Sequence, residues 1–199
     1  MESLKLNNVI DILRSKHIDL FTYQNLRQLF PSISQPGLSA ATKRLIKTKT
    51  ISRIEKGKFQ FLLSAKLPHE YELANFIYQP SYISLETALS FYGIIDQFTY
   101  QVTSVTTKKA VAKSYLQKDY SYAHLESKLF TDYIRQDGYL VASPSKALFD
   151  YCYLAMKGFR SRNNLGLINL SPTKKQQFIS YINQNYQLPS LLNFVKKNL

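Results

Sequence analysis

Hydrophobic spacing changes abruptly at Ile51. Before it, apolar residues recur every three or four positions: Leu6, Val9, Ile10 and Leu13 in "SLKLNNVIDILRSKH", Leu26, Leu29 and Phe30 in "TYQNLRQLF", and Leu38, Ala41, Leu45 and Ile46 in "LSAATKRLIKTKT". Each segment reads as a helix with one apolar face. Thr22 is placed to cap the second, and Pro31 stops it. From Ile51 onward, "ISRIEKGKFQFLL" reads as two strands, Ile51 to Ile54 and Phe59 to Leu63, turning at Gly57, where a tight hairpin needs positive φ. Three helices followed by a hairpin is the order of a winged helix-turn-helix.

Charge gives that order a chemical meaning. The third helix carries Ser39, Thr42, Lys43, Arg44 and Lys47 toward its outer side or flanks, Gln35 lies just ahead of it, and the hairpin carries Arg53, Lys56 and Lys58. Short polar groups on a helix reach base edges in a major groove, and cations in a wing meet phosphates. These residues are therefore the expected DNA contacts, against the plainer alternative that the lysines only solvate a helix face. Residues 1–66 hold 12 Lys+Arg against 4 Asp+Glu, a net +8, whereas residues 67–199 hold 14 against 9, a net +5. The shorter piece has the denser charge, so the boundary is expected at 66/67. The whole chain, at +13, calls for a polyanionic partner.

Beyond residue 66 the pattern is mixed. "YISLETALSFYG" reads as a helix with Ser84 as N-cap, Glu86 in the first turn and a stop at Gly93. A strand, "TYQVTSVTT", follows, rich in β-branched residues and ending near Lys108 and Lys109. With Thr103, Ser104, Thr106 and Thr107, those two lysines are candidates for phosphate contact. "YSYAHLESKLF" alternates as a strand does, and Asp137-Gly138 turns a hairpin in "DYIRQDGYLVASP". Ser143-Pro144 and Ser171-Pro172 place N-cap and first-turn residues ahead of two further helices, and a last helix is expected after Pro189. The expected fold class is α+β: a winged helix-turn-helix over 1–66 and a mixed α+β domain over 67–199.

Little in this second part suggests chemistry. His17, His69 and His124 lack metal-ligand spacing, and no phosphate-cradling or nucleophile-elbow glycine motif occurs among only 6 glycines. No metal or cofactor is expected. Cys152 lies in the apolar run "ALFDYCYLAM", where a buried, inert thiol is expected. No stretch approaches the roughly 18 apolar residues of a membrane span, and the first residues do not read as a secretory signal, so a cytoplasmic protein without membrane association is expected.

Three segments in order, "YISLETALSFYGII", "VTSVTTKKA" and "ASPSKALFDYCYLA", resemble the AbiEi-type antitoxins of bacterial abortive-infection, type IV toxin-antitoxin systems. Tyr82, Ser84, Thr87, Ala88, Leu89 and Gly93 match the first family motif; Val102, Thr103, Val105 and Thr106 match the second. Ser143, Pro144, Lys146, Ala147, Leu148 and Asp150 match the third, in which Ser145 replaces a common glutamate. The resemblance covers roughly residues 80–155. It implies a non-enzymatic autorepressor whose winged helix binds inverted repeats in its own promoter. It also implies a C-terminal domain that opposes a nucleotidyltransferase-like toxin without a stable complex. The rival reading is a winged-helix-targeted nuclease or RNA-modifying enzyme using Glu86, Asp132, Asp137 and Asp150. A third makes the second domain a protein-interaction module that holds the toxin directly.

Overall fold

The computed structural model describes residues 6–97 and 100–199. The start of the first expected helix, and Thr99 at the start of the expected "TYQVTSVTT" strand, lie outside the described residues. The chain forms two compact units, one ending at Ile77 and one spanning Tyr78–Leu199. The fold is mixed α+β, with eight α-helices and two sheets among the described residues.

In the first unit, α1 (Leu6–Ser15), α2 (Tyr23–Leu29) and α3 (Gln35–Lys47) precede a hairpin of β2 (Ile51–Glu55) and β3 (Lys58–Phe61). Thr22 caps α2 through a reciprocal pair with Asn25: the Asn25 amide donates to Thr22 Oγ1 at 3.2 Å and the Thr22 amide to Asn25 Oδ1 at 2.8 Å. Ser34 accepts from the Gly37 amide, so α3 begins three residues before the apolar stripe that signalled it. Val9, Leu13, Phe21, Leu26, Leu38, Leu45, Ile51, Phe59 and Phe61 close into one core. A strand without a sequence signal, β1 (Leu20–Thr22), pairs antiparallel with β3 and gives the order β1-β3-β2.

The unit does not end at residue 66. A fourth helix, α4 (Glu70–Ile77), belongs to it because Lys58 donates from Nζ to the Phe76 and Ile77 carbonyls at 2.9 and 2.6 Å. A cation there satisfies carbonyls that a helix C-terminus leaves unpaired. The boundary thus falls eleven residues later than charge density suggested.

The second unit is built on a six-stranded mixed sheet of order β6-β7-β5-β4-β9-β8, from β4 (Ser81–Ile83), β5 (Val102–Thr106), β6 (Val111–Tyr115), β7 (Lys118–His124), β8 (Tyr133–Gln136) and β9 (Tyr139–Ala142). β4 runs antiparallel to β5 and parallel to β9, and β5 runs parallel to β7. Two helices, α5 (Leu85–Phe91) and α6 (Pro144–Met156), pack together, α5 also against β5. The outer helices, α7 (Pro172–Asn185) and α8 (Pro189–Asn198), pack on α6. Ser143 and Ser171 cap α6 and α7 by accepting from the amides of Lys146 and Lys174. Ten of the 13 residues of α6 are buried, which is why its sequence is apolar nearly all round. No helix among the described residues is long and apolar enough to cross a membrane.

Candidate nucleic-acid interface

The core of the first unit decides which face of α3 is free. Leu38, Ala41, Thr42 and Leu45 are buried, leaving Gln35, Lys43, Arg44 and Lys47 exposed and Ser39 half-buried. Thr42 departs from expectation. It lies four residues after Leu38 and three before Leu45, on the apolar stripe itself, and its hydroxyl donates to the Leu38 carbonyl at 2.7 Å. It therefore has no free hydroxyl on the outer face.

In the hairpin, Arg53 and Lys56 are exposed, and the register shifts between Arg53 and Glu55. The Gly57 carbonyl accepts from the Tyr23 amide at 2.8 Å, and the Tyr23 hydroxyl donates to the Gln35 carbonyl at 2.9 Å. Tyr23 thus ties the hairpin turn to the start of α3. Lys58 departs from expectation as well: its ammonium caps α4 and lies over the Phe76 ring, so it is committed inside the unit rather than to a phosphate. Among the described residues no carboxylate pairs with Lys43, Arg44, Lys47, Arg53 or Lys56. Arg27, not picked out in the sequence, lines with Gln28, Ile33 and Gln35 a groove of about 520 Å³ between α2 and the start of α3. Its signal was there to be found, a cation on the polar side of "TYQNLRQLF".

The motif residues of the second unit come together in its interior. Asp150 and Lys146 are both fully buried, with Nζ to Oδ1 at 2.6 Å. Asp150 Oδ2 accepts from the Tyr82 hydroxyl at 2.9 Å and from the Ser84 hydroxyl at 2.7 Å. The Lys146 ammonium also donates to the Leu129 carbonyl at 2.6 Å, and lies over the Phe149 and Tyr186 rings. Burial pushes the Asp150 carboxyl upward, while Lys146, Ser84 and Tyr82 pull it back. Burial, reinforced by the Asp150 charge, pushes the Tyr82 phenol upward, so it remains a donor. Ser84 stands at the N-cap of α5 but makes no side-chain cap bond; its hydroxyl is spent on Asp150 instead, and Leu85 next to it has φ 58°.

The two threonine hydroxyls of β5 are also used internally, whereas the buried Ser104 hydroxyl has no hydrogen-bond partner among the described residues. Thr103 and Thr87 exchange amide-to-hydroxyl bonds at 2.8 and 3.0 Å, Thr103 donates to the Ser84 carbonyl, and Thr106 to the Pro80 carbonyl. All five residues of β5 are buried, so Thr103, Ser104 and Thr106 do not face a phosphate as expected. Thr107 is half-buried, and Lys108 and Lys109 are exposed, with the Lys108 ammonium over the Tyr78 ring. Of the acidic residues, Glu86 faces Arg160 at 3.7 Å, Asp132 accepts from Tyr181 and Ser143, and Asp137 turns the β8–β9 hairpin with φ 46°. Among the described residues no three His, Cys, Asp or Glu form a group able to hold a metal ion. Cys152 is buried, and burial raises its thiol well above the ordinary range. No protein-family model matches the chain, and a search of curated proteins returns no match.

Proposed function

We propose that the first unit is a winged helix that binds duplex DNA and that the chain is an antitoxin and autorepressor of the AbiEi type. The carrying observation is the set of exposed cations on α3 and the β2–β3 hairpin, Lys43, Arg44, Lys47, Arg53 and Lys56, free of carboxylate partners among the described residues. In water such a set costs self-repulsion and finds compensation by releasing counterions from a phosphate backbone. With Thr42 and Lys58 withdrawn, base reading falls to Gln35 and Ser39, and phosphate contact to the cations.

Electrophoretic mobility shifts with the DNA upstream of the gene, at several salt concentrations, test the reading. Lys43→Ala with Arg44→Ala should weaken binding uniformly across sequences and lower the salt slope by about 0.9 per lost phosphate contact. An unchanged slope refutes the α3 assignment. For the second unit, the antitoxin reading is supported by the three ordered motifs. Co-expression with a neighbouring nucleotidyltransferase-like gene should restore growth without a co-purifying complex; a stable complex would favour direct capture of the toxin.

A further inference from the structure

The C-terminal 49 residues, 151–199, carry seven Lys or Arg and no Asp or Glu. Where this acid-free segment leaves α6 the chain reverses direction: Gly158 has φ 81°, its amide donates to the Ala155 carbonyl, and the Phe159 amide donates to the Leu154 carbonyl at 2.8 Å. Such a helix end requires the left-handed backbone that glycine adopts without strain, and it usually lays the following side chain on the last turn. Phe159 is instead 71% exposed. Its ring stands at the wall of a cavity of about 440 Å³, whose other lining includes Ala112, Ser121, Ala123, Leu154 and Arg160.

The composition of this cavity is specific. Ala112 and Ser121 face one another across the β6–β7 pair, so small side chains leave room above the sheet. The volume lies within the roughly 300–1,000 Å³ of small-molecule sites. Two polar groups at it have no hydrogen-bond partner among the described residues, the buried Ser121 Oγ and the Arg160 Nε, which stands 3.7 Å from Glu86 Oε1. An exposed lysine, Lys109, directly precedes the lining residue Ala110. A flat aromatic wall, an apolar floor, one unpartnered hydroxyl, an arginine whose Nε faces Glu86 only at 3.7 Å and a lysine adjoining the lining in sequence match a planar heteroaromatic ring carrying an anionic group.

We propose that this cavity binds a nucleoside phosphate, with the base against Phe159, its edge on Ser121 and Arg160, and the phosphate toward Lys109. The ligand is either a free nucleotide or one nucleotide of a single strand. This site is independent of the promoter contacts on α3.

The test is an NMR titration of the full chain with AMP, GMP, CMP and UMP separately. At least one should shift the amides of Ala110–Ala112, Ser121–His124 and Phe159–Arg160. Phe159→Ala should weaken it by about tenfold, the loss of one base-stacking contact. Ala112→Phe, which fills the cavity from an exposed position, should abolish it while leaving far-UV ellipticity and promoter binding intact. A short single-stranded RNA binding much more tightly than any mononucleotide, and still blocked by Ala112→Phe, identifies a strand as the source; equal affinities identify a free nucleotide. The proposal is overturned if millimolar mononucleotide leaves those amides unshifted, if inorganic phosphate binds as well as a nucleotide, or if both variants retain full affinity.

Discussion

Cutting the Lys146–Asp150 pair should damage the second unit more than any surface charge change. Both side chains are fully buried at 2.6 Å, and Asp150 gathers Tyr82 and Ser84 as well. Removing one member leaves the other charge without water or counterion, which costs about 3–5 kcal/mol. Asp150→Ala and Lys146→Met should each therefore destabilise by about 3–5 kcal/mol. The double replacement Lys146→Met with Asp150→Leu removes both charges and leaves only the Tyr82 and Ser84 hydroxyls short of partners, at about 1–3 kcal/mol each if they remain dry, because the Leu129 carbonyl still accepts from the Thr131 amide. Hydroxyls can rotate and relax, so the double variant should cost about 4 kcal/mol, less than the sum of the singles. Urea denaturation followed by far-UV ellipticity, with the transition of the second unit resolved, closes the cycle. A single-variant cost below about 1 kcal/mol, the value of a solvent-exposed pair, refutes the dry pair; so does additivity within about 0.5 kcal/mol.

Lys58→Met should destabilise the first unit by about 1–3 kcal/mol, since two charge-assisted bonds to the last carbonyls of α4 disappear, while the salt slope of promoter binding stays unchanged. A fall in slope without loss of stability would return Lys58 to the DNA interface. Alkaline pH should unfold the second unit cooperatively. Burial pushes the Tyr151 and Tyr153 phenols up to about 12. Burial also raises those of Tyr82 and Tyr181. A raised folded-state pKa stabilises below the unfolded value near 10, and that contribution is lost as pH rises toward 12. Phenolate absorbance from these tyrosines should therefore appear together with loss of ellipticity; a smooth titration near pH 10 in a folded protein contradicts it.

Local chemistry was legible in the sequence because its causes act within about four residues. Thr22, Ser143 and Ser171 cap the helices they were expected to cap, the Gly93 and Gly158 amides close the ends of α5 and α6, and Asp137-Gly138 turns β8 into β9. The α+β class and the exposure of Lys43, Arg44, Lys47, Arg53 and Lys56 followed from the same spacing rules. What no spacing rule reaches is pairing across the chain. Ser84 meets Asp150 across 66 residues and leaves its helix without a side-chain cap, and Lys58 meets Ile77 across 19 and leaves the exposed cations of the hairpin. The three-residue strands β1 and β4 exist only because partner strands satisfy their backbone groups. Sequence alone determined where the serine- and threonine-capped helices and the glycine turns fall and which stretches carry charge. Only tertiary packing decided which polar side chains turn inward, because a buried donor must find its acceptor wherever the fold brings one, at any distance along the chain.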